Sequence, residues 1–284
     1  MIQWYPGHMA KTKRILEEDL KLVDLVVEVL DARIPLSSQN PDLTELLGKK
    51  KRIIVLNKMD LANTLISAQW KNYFARDYPV VLLNSLTGQG MKDLLAIIEG
   101  EGREINKLLQ EKGRNKRAVR IMVAGIPNVG KSALINMLAG TKTSKTGNKP
   151  GVTRGRQWIV VREDIQLLDT PGILWPKFDD EDVGFRLALT GAIRDEVFDE
   201  EEAACKLIEY IIQIDKGILE KAYNIEIDEE IEIAYDILAN IGRKSGCLMS
   251  GGRVDRSRAA SRLINDFRKG KLGSISLEVP GDDS

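Results

Sequence analysis

Along the first two thirds of the chain, short β-branched runs alternate with longer amphipathic stretches. The runs Leu25–Leu30 (LVVEVL), Ile53–Leu56 (IIVL), Val80–Leu83 (VVLL) and Val119–Ala124 (VRIMVA) are apolar almost throughout, as expected of strands covered on both faces. Gln157–Val161 and Ile165–Leu168 read as two further strands. Between them, 65–76, 91–112 and 131–138 carry apolar residues at helical spacing. Strand–helix alternation of this kind predicts an α/β fold with a doubly wound, mostly parallel sheet. From about Pro176 the texture changes: Phe178–Glu202 is rich in acids, Cys205–Gly242 reads as two or more helices, and Arg243 to Lys271 is basic. The pattern divides the chain into an α/β domain over 1–177 and an all-α domain over 178–284, with Gly113–Lys116 as a surface linker inside the first.

Composition narrows the possibilities. The chain has 284 residues, is 43% hydrophobic and 30% charged, and carries no net charge, which fits a globular protein able to bury a core. Net charge therefore says nothing about nucleic acid, and the distribution of charge has to be read instead. The two cysteines, Cys205 and Cys247, form no Cys-x-x-Cys pair, so reduced thiols are expected rather than a zinc site or disulfide framework. The N-terminal MIQWYPGHMAKTKR lacks an apolar core of the secretory type, and no uncharged apolar run approaches the ~20 residues of a membrane helix. A cytoplasmic protein without membrane contact is the expectation.

Chemistry enters at the strand ends. Gly125-Ile-Pro-Asn-Val-Gly130-Lys131-Ser132 matches G-x-x-x-x-G-K-[ST] and lies between an expected strand and an expected helix, the context that a phosphate-binding loop requires. Glycines let backbone N–H groups approach a triphosphate closely. Lys131 would neutralise phosphate charge and the Ser132 hydroxyl would ligate Mg²⁺; Asn128, Val129, Gly130 and Ala133 complete the cradle. Asn57-Lys58-Met59-Asp60 follows another strand. There the Asp60 carboxylate can accept hydrogen bonds from guanine N1–H and the 2-amino group, a donor pair that adenine lacks, so an ATPase is disfavoured. Asn57 would hold the base from the other side and tie it to the phosphate loop, and the Lys58 stem can pack along the base. Asn84 and Ser85, at the end of a third strand, could offer N–H groups to guanine O6. Asp169-Thr-Pro-Gly172 ends the last expected strand, where Asp169 can reach Mg²⁺ and the Gly172 N–H can face a γ-phosphate; Thr153 lies in the intervening loop and can add a hydroxyl to the metal.

In most GTPases the phosphate loop comes first and N-K-x-D late. Here that order is reversed, which the same sheet tolerates if the original ends are joined and a new break is opened at the surface. The segment after Asp169–Gly172 then leads straight into the helical module, so movement driven by a γ-phosphate could reposition it.

Taken together, Tyr5-Pro-Gly-His-Met9, Asp31-Ala-Arg33, Asn57–Asp60, Gly125–Ser132, Pro150–Gly155, Asp169–Gly172 and Asp266–Gly273 resemble the YlqF-type circularly permuted GTPases, bacterial assembly factors for the large ribosomal subunit. The resemblance covers nearly the whole chain. It implies GTP as substrate, Mg²⁺ as cofactor, and binding to a precursor of the large subunit through ribosomal RNA and ribosomal proteins, in the GTP state and with release after hydrolysis, by what is expected to be a monomer. Against that background, Ile173 stands where many GTPases carry a water-orienting Gln, so completion of the site by another group is expected. His8 is the one histidine and, with Lys131 and Thr153, a catalytic candidate. Asn128 occupies the position that helps hold K⁺ in some GTPases lacking that Gln. The basic residues Arg243, Lys244, Arg256, Arg258, Arg262, Arg268 and Lys269 form the expected RNA contact, with strong salt dependence. A second class of function, a GTP-dependent binding module acting on protein partners with incidental hydrolysis, fits the same nucleotide motifs.

Overall fold

The structure is a computed structural model that describes residues 14–48, 50–140, 158–168, 180–228 and 233–281. Six strands form one sheet: β1 (Leu25–Asp31), β2 (Lys51–Asn57), β3 (Val80–Leu83), β4 (Val119–Ala124), β5 (Trp158–Arg162) and β6 (Ile165–Leu168), in the order β3-β2-β1-β4-β6-β5. All neighbours run parallel except the β5–β6 pair. The expected mostly parallel, doubly wound sheet is therefore present, and the strands stand where the apolar runs predict them.

Period-2 alternation sends neighbouring side chains to opposite faces. Val27, Val29, Ile53, Val55, Ile121 and Val123 point into one core, which also contains Leu94, Ile98 and Leu134. Those three come from α3 (Met91–Glu111) and α4 (Lys131–Gly140), which cover that face. On the other face Val26, Met122 and Leu168 meet Leu43 and Leu47 of α1 (Pro41–Leu47), and Leu30, Ile54 and Leu56 meet Trp70 and Phe74 of α2 (Thr64–Phe74). Every residue of β1 is buried. One consequence is Glu28, whose carboxyl is pushed up to about 7 by burial although Arg52 lies 2.9 Å away.

Among the described residues, five helices follow the sheet: α5 (Glu181–Leu189), α6 (Glu200–Asp215), α7 (Gly217–Tyr223), α8 (Ala234–Lys244) and α9 (Arg256–Arg268), with a 3₁₀ turn at Asp195–Val197. They share the first core with the sheet, since Leu187, Leu207, Leu238, Leu263 and Phe267 belong to the same continuous cluster as Val27 and Ile121. After α9 the chain turns back onto the sheet domain, where Ile275 and Leu277 join that core. Residues 113–118 are without regular structure and almost all exposed, in keeping with a surface linker. No helix among the described residues is long and apolar enough to cross a membrane.

Candidate nucleotide site

Parallel strands bring their C-terminal ends to one edge, where α/β folds bind ligands. β1 lies between β2 and β4, so the loop after β2, with Asn57–Asp60, and the loop after β4, with Gly125–Ser132, flank one crevice. Asn57 joins them. It is fully buried; its Nδ2 donates to the Val129 carbonyl at 2.7 Å and to Ser85 Oγ at 3.0 Å, and its Oδ1 accepts from the Ser85 N–H at 3.0 Å. Three loops distant in sequence are thus pinned by one amide. Both of its donors are spent on protein, so Asn57 acts first as a brace. Gly130 makes the contact possible, because a Cβ there would stand 2.2 Å from Asn57 Nδ2. Gly125, at φ 146°, is required in the same way: its Cβ would lie 2.4 Å from the Val29 carbonyl oxygen. The Ser85 hydroxyl contact was not anticipated from sequence, where only N–H groups were assigned to that loop. Asn84 is buried and its Oδ1 accepts from the N–H groups of Leu86 and Thr87, which shapes the loop.

On the guanine side, Lys58 adopts φ 58°, a left-handed conformation, and its Nζ pairs with Asp31 Oδ2 at 2.9 Å. Asp31 is also gripped by Arg33 through Nε and Nη2 at 2.9 and 2.8 Å. Burial opposes ionisation of Asp31, but the two cations outweigh it and hold the carboxyl well below the usual range. The Met59 N–H donates to the Leu83 carbonyl and the Leu61 N–H to that of Lys58, closing the turn that carries Asp60.

On the phosphate side, Asn128 and Gly130 take positive φ, 59° and 99°, and α4 begins at Lys131. Such a turn aims backbone N–H groups and a helix N-terminus at an anion. Lys131 is buried, its Nζ donates to the Ile126 carbonyl, and desolvation brings its pKa down to about 8. Ser132 and Ala133 follow in the first turn, with Ser132 exposed. A hydroxyl oxygen at this place fits Mg²⁺, which takes hard oxygen ligands. Asn128 Nδ2 donates to the carbonyl of Gly191, just past α5, a direct tie from the phosphate loop to the helical region that sequence gave no sign of. His8, Thr153, Asp169 and Gly172 lie outside the described residues.

The basic residues near the C-terminus part into two groups. Arg243, Lys244, Arg256, Arg258, Arg262 and Lys269 are exposed. Arg268, counted with them from sequence, is instead turned onto α5: it donates to the carbonyls of Leu189 and Ala188 at 3.1 and 2.7 Å and pairs with Asp195 at 2.7 Å. Its guanidinium thus adds donors at the end of a helix, where the Ala188 carbonyl also accepts from the Gly191 N–H at 2.9 Å. Between α8 and α9 an isolated bridge, Leu248 to Val254, closes a small hairpin. Beside it lies an open groove of about 550 Å³ lined by Arg243, Arg253, Arg256 and Met249, with Glu201 and Asp255 as its acids.

Comparison with known proteins agrees with this geometry. A family model described as 50S ribosome-binding GTPase matches residues 120–240; it starts at β4, and Asn57–Asp60 precedes it, as permutation requires. A protein of Bacillus licheniformis named ribosome biogenesis GTPase A is 45% identical over 284 residues, covering 99% of both chains. One of the same name from Thermotoga maritima is 33% identical over 99% of this chain and 95% of its own. The mitochondrial ribosome-associated GTPase 1 of Mus musculus is 33% identical over 97% of this chain and 90% of its own. A solved GDP-bound YlqF superposes with a TM-score of 0.67 at 28% identity, covering 95% of this chain and 100% of that one. Likeness of this extent, on a crevice where the loops after β2 and β4 meet through Asn57, leads to one conclusion: the chain belongs to the ribosome biogenesis GTPase A (YlqF) family and is a circularly permuted GTPase involved in ribosome biogenesis.

Proposed function

We propose that this GTPase binds a precursor of the large ribosomal subunit in its GTP form and leaves after hydrolysis, with residues 1–177 as the GTPase domain and 178–284 as the RNA-binding domain. The observation that carries the reading is the exposed cationic set Arg243, Lys244, Arg256, Arg258, Arg262 and Lys269 on a module hydrogen-bonded to the phosphate loop through Asn128 and Gly191. Guanidinium and ammonium groups on one exposed surface engage phosphates and release counterions, and ribosomal RNA, with the ribosomal proteins around it, presents such a surface. Lys131 and the cradle Asn128–Ala133 hold the phosphates, Asp60 reads guanine with Lys58 and Met59 beside it, and Ser132 with Thr153 and Asp169 holds Mg²⁺, which neutralises phosphate charge when bound. Gly172 faces the γ-phosphate. His8 completes the hydrolytic site on the particle; turnover of a His8→Ala protein on large-subunit particles should drop to its unstimulated rate, and unchanged stimulation removes His8 from the mechanism. Asn128 Oδ1 is available to K⁺, a role that equal turnover in Na⁺ and K⁺ excludes.

The decisive test is co-sedimentation with large-subunit precursors in GTP, GDP and a non-hydrolysable analogue. Retention with the analogue and loss with GDP support the reading; equal retention in all three overturns it. A second reading, a GTP-dependent module for protein partners, draws on the exposed Leu248 and Met249 of the hairpin, and binding that survives RNase on isolated partners would favour it.

A further inference from the structure

The chain does not end in the helical module. Past α9 it returns to the sheet domain and runs along the loop that carries Asp60. Ser274 Oγ donates to the Asp60 carbonyl at 3.0 Å, the Ile275 N–H donates to the Leu61 carbonyl at 3.0 Å, and the Asn63 N–H donates to Ser276 Oγ at 3.1 Å. The Leu277 N–H donates to the carbonyl of Arg33, the residue that grips Asp31 and, through it, Lys58. Glu278 closes the strap: its carboxylate accepts from the N–H groups of Leu36 and Ser37 and from the Ser37 hydroxyl, and its carbonyl accepts from Trp70 Nε1 at 3.1 Å. Ile275, Ser276, Leu277 and Glu278 are all buried. None of the five residues belongs to a nucleotide-binding motif.

The loop needs such a support. Asp60 can tell guanine from adenine only if its carboxylate is held within hydrogen-bond reach of two N–H groups, and a displacement of about 1 Å forfeits that. On its own side the turn is closed by the Met59–Leu83 and Lys58–Leu61 backbone bonds, whereas surface loops with few anchors open readily. The strap adds bonds at Asp60, Leu61 and Asn63 and seats them on buried residues. We propose that Ser274–Glu278 is a positioning element for the guanine-reading loop: it touches no nucleotide, holds Asp60 in reading position, and so sets affinity for the guanine base. This deepens the assignment of Asp60 to guanine and rests on it. Because the strap continues directly from α9, a pull on the basic surface of that helix reaches the base-reading loop without passing through the phosphate side.

The test compares GDP with inosine diphosphate, which lacks the 2-amino group, on the full chain and on a Ser274→Ala/Ser276→Ala variant, by calorimetric titration. The parent should prefer GDP; no preference there refutes guanine reading by Asp60 itself. Given that preference, the variant should lose about tenfold in GDP affinity, as both bonds to Asp60 weaken, and less, about threefold, in inosine diphosphate affinity, which keeps only the N1–H bond, so that the ratio narrows. A ratio equal to the parent's overturns the strap, whether both affinities fall together or neither does. Should the variant not fold, hydrogen exchange on the parent decides: slowed exchange of the Ile275 and Leu277 amides on GDP binding supports the strap, and unchanged exchange refutes it.

Discussion

At the scale of single residues, one side chain holds the site together. Asn57 bridges the phosphate loop and the loop of Ser85, and truncation leaves the Val129 carbonyl and Ser85 without those partners. Asn57→Ala should lower unfolding free energy by about 1–3 kcal/mol and weaken GDP, measured by denaturation and by titration; unaltered GDP affinity would contradict the bracing role. Lys131 offers a pH signature. Burial brings its pKa down to about 8 in the free protein, while bound phosphates favour its charged form. Below that value affinity for a non-hydrolysable GTP analogue should be flat. Above it binding must recapture a proton, so affinity should fall by up to about tenfold per pH unit, with about half a proton taken up at pH 8. Calorimetry in buffers of different ionisation enthalpy measures that uptake directly. Glu28 gives a pH signature in stability. Its folded pKa is raised to about 7, so its favourable contribution is complete below the unfolded value and is lost as pH rises through 7. Stability of Glu28→Gln relative to the parent should therefore climb between about pH 5 and 7.5, by an amount on the order of 3 kcal/mol.

At the scale of elements, α9 carries two jobs on two faces. Ala259, Ala260, Leu263, Ile264 and Phe267 are buried, while Arg258 and Arg262 stand exposed, four positions apart on the same stripe. Arg268, at its end, caps α5. The faces should separate by mutation. Arg258→Gln should leave stability within about 0.5 kcal/mol and reduce the slope of log affinity against log salt for ribosomal RNA by about 1. Arg268→Gln should cost about 1–3 kcal/mol of stability, because the Leu189 carbonyl and Asp195 lose their bonds to the guanidinium and the Ala188 carbonyl keeps only its backbone donors, and should leave the salt slope in place. Filter binding at several salt concentrations, paired with denaturation, distinguishes them. Two of the ties between module and sheet domain are also elements of different kind: the Asn128–Gly191 bond reaches the Gly125–Ser132 loop, and the strap reaches the Asn57–Asp60 loop.

At the scale of the whole molecule, sheet and helices share one apolar cluster that extends to Leu277, and the strap ties the last described residues to the middle of the sheet domain. Unfolding should therefore be a single transition by calorimetry, shifted as a unit by GDP. Two transitions, only one of them moved by nucleotide, would show that the regions fold independently.

Much of this was legible in the chain. The strands are continuous apolar runs, and burial on both faces leaves that mark whatever the tertiary detail. Asn57–Asp60 and Gly125–Ser132 were recognisable because phosphate and guanine chemistry demands particular residues at particular spacing, and their position at strand ends predicted a shared crevice. The tertiary structure alone decided how the motifs are braced and what lies against them. That Asn57 spends both donors on protein, that Arg268 turns inward while Arg258 does not, and that Ser274–Leu277 bond to Asp60, Leu61, Asn63 and Arg33 are facts about residues brought together from far apart in sequence. Local periodicity reports which face of an element is apolar; it carries no information on which distant carbonyl or amide a polar side chain or a tail will meet.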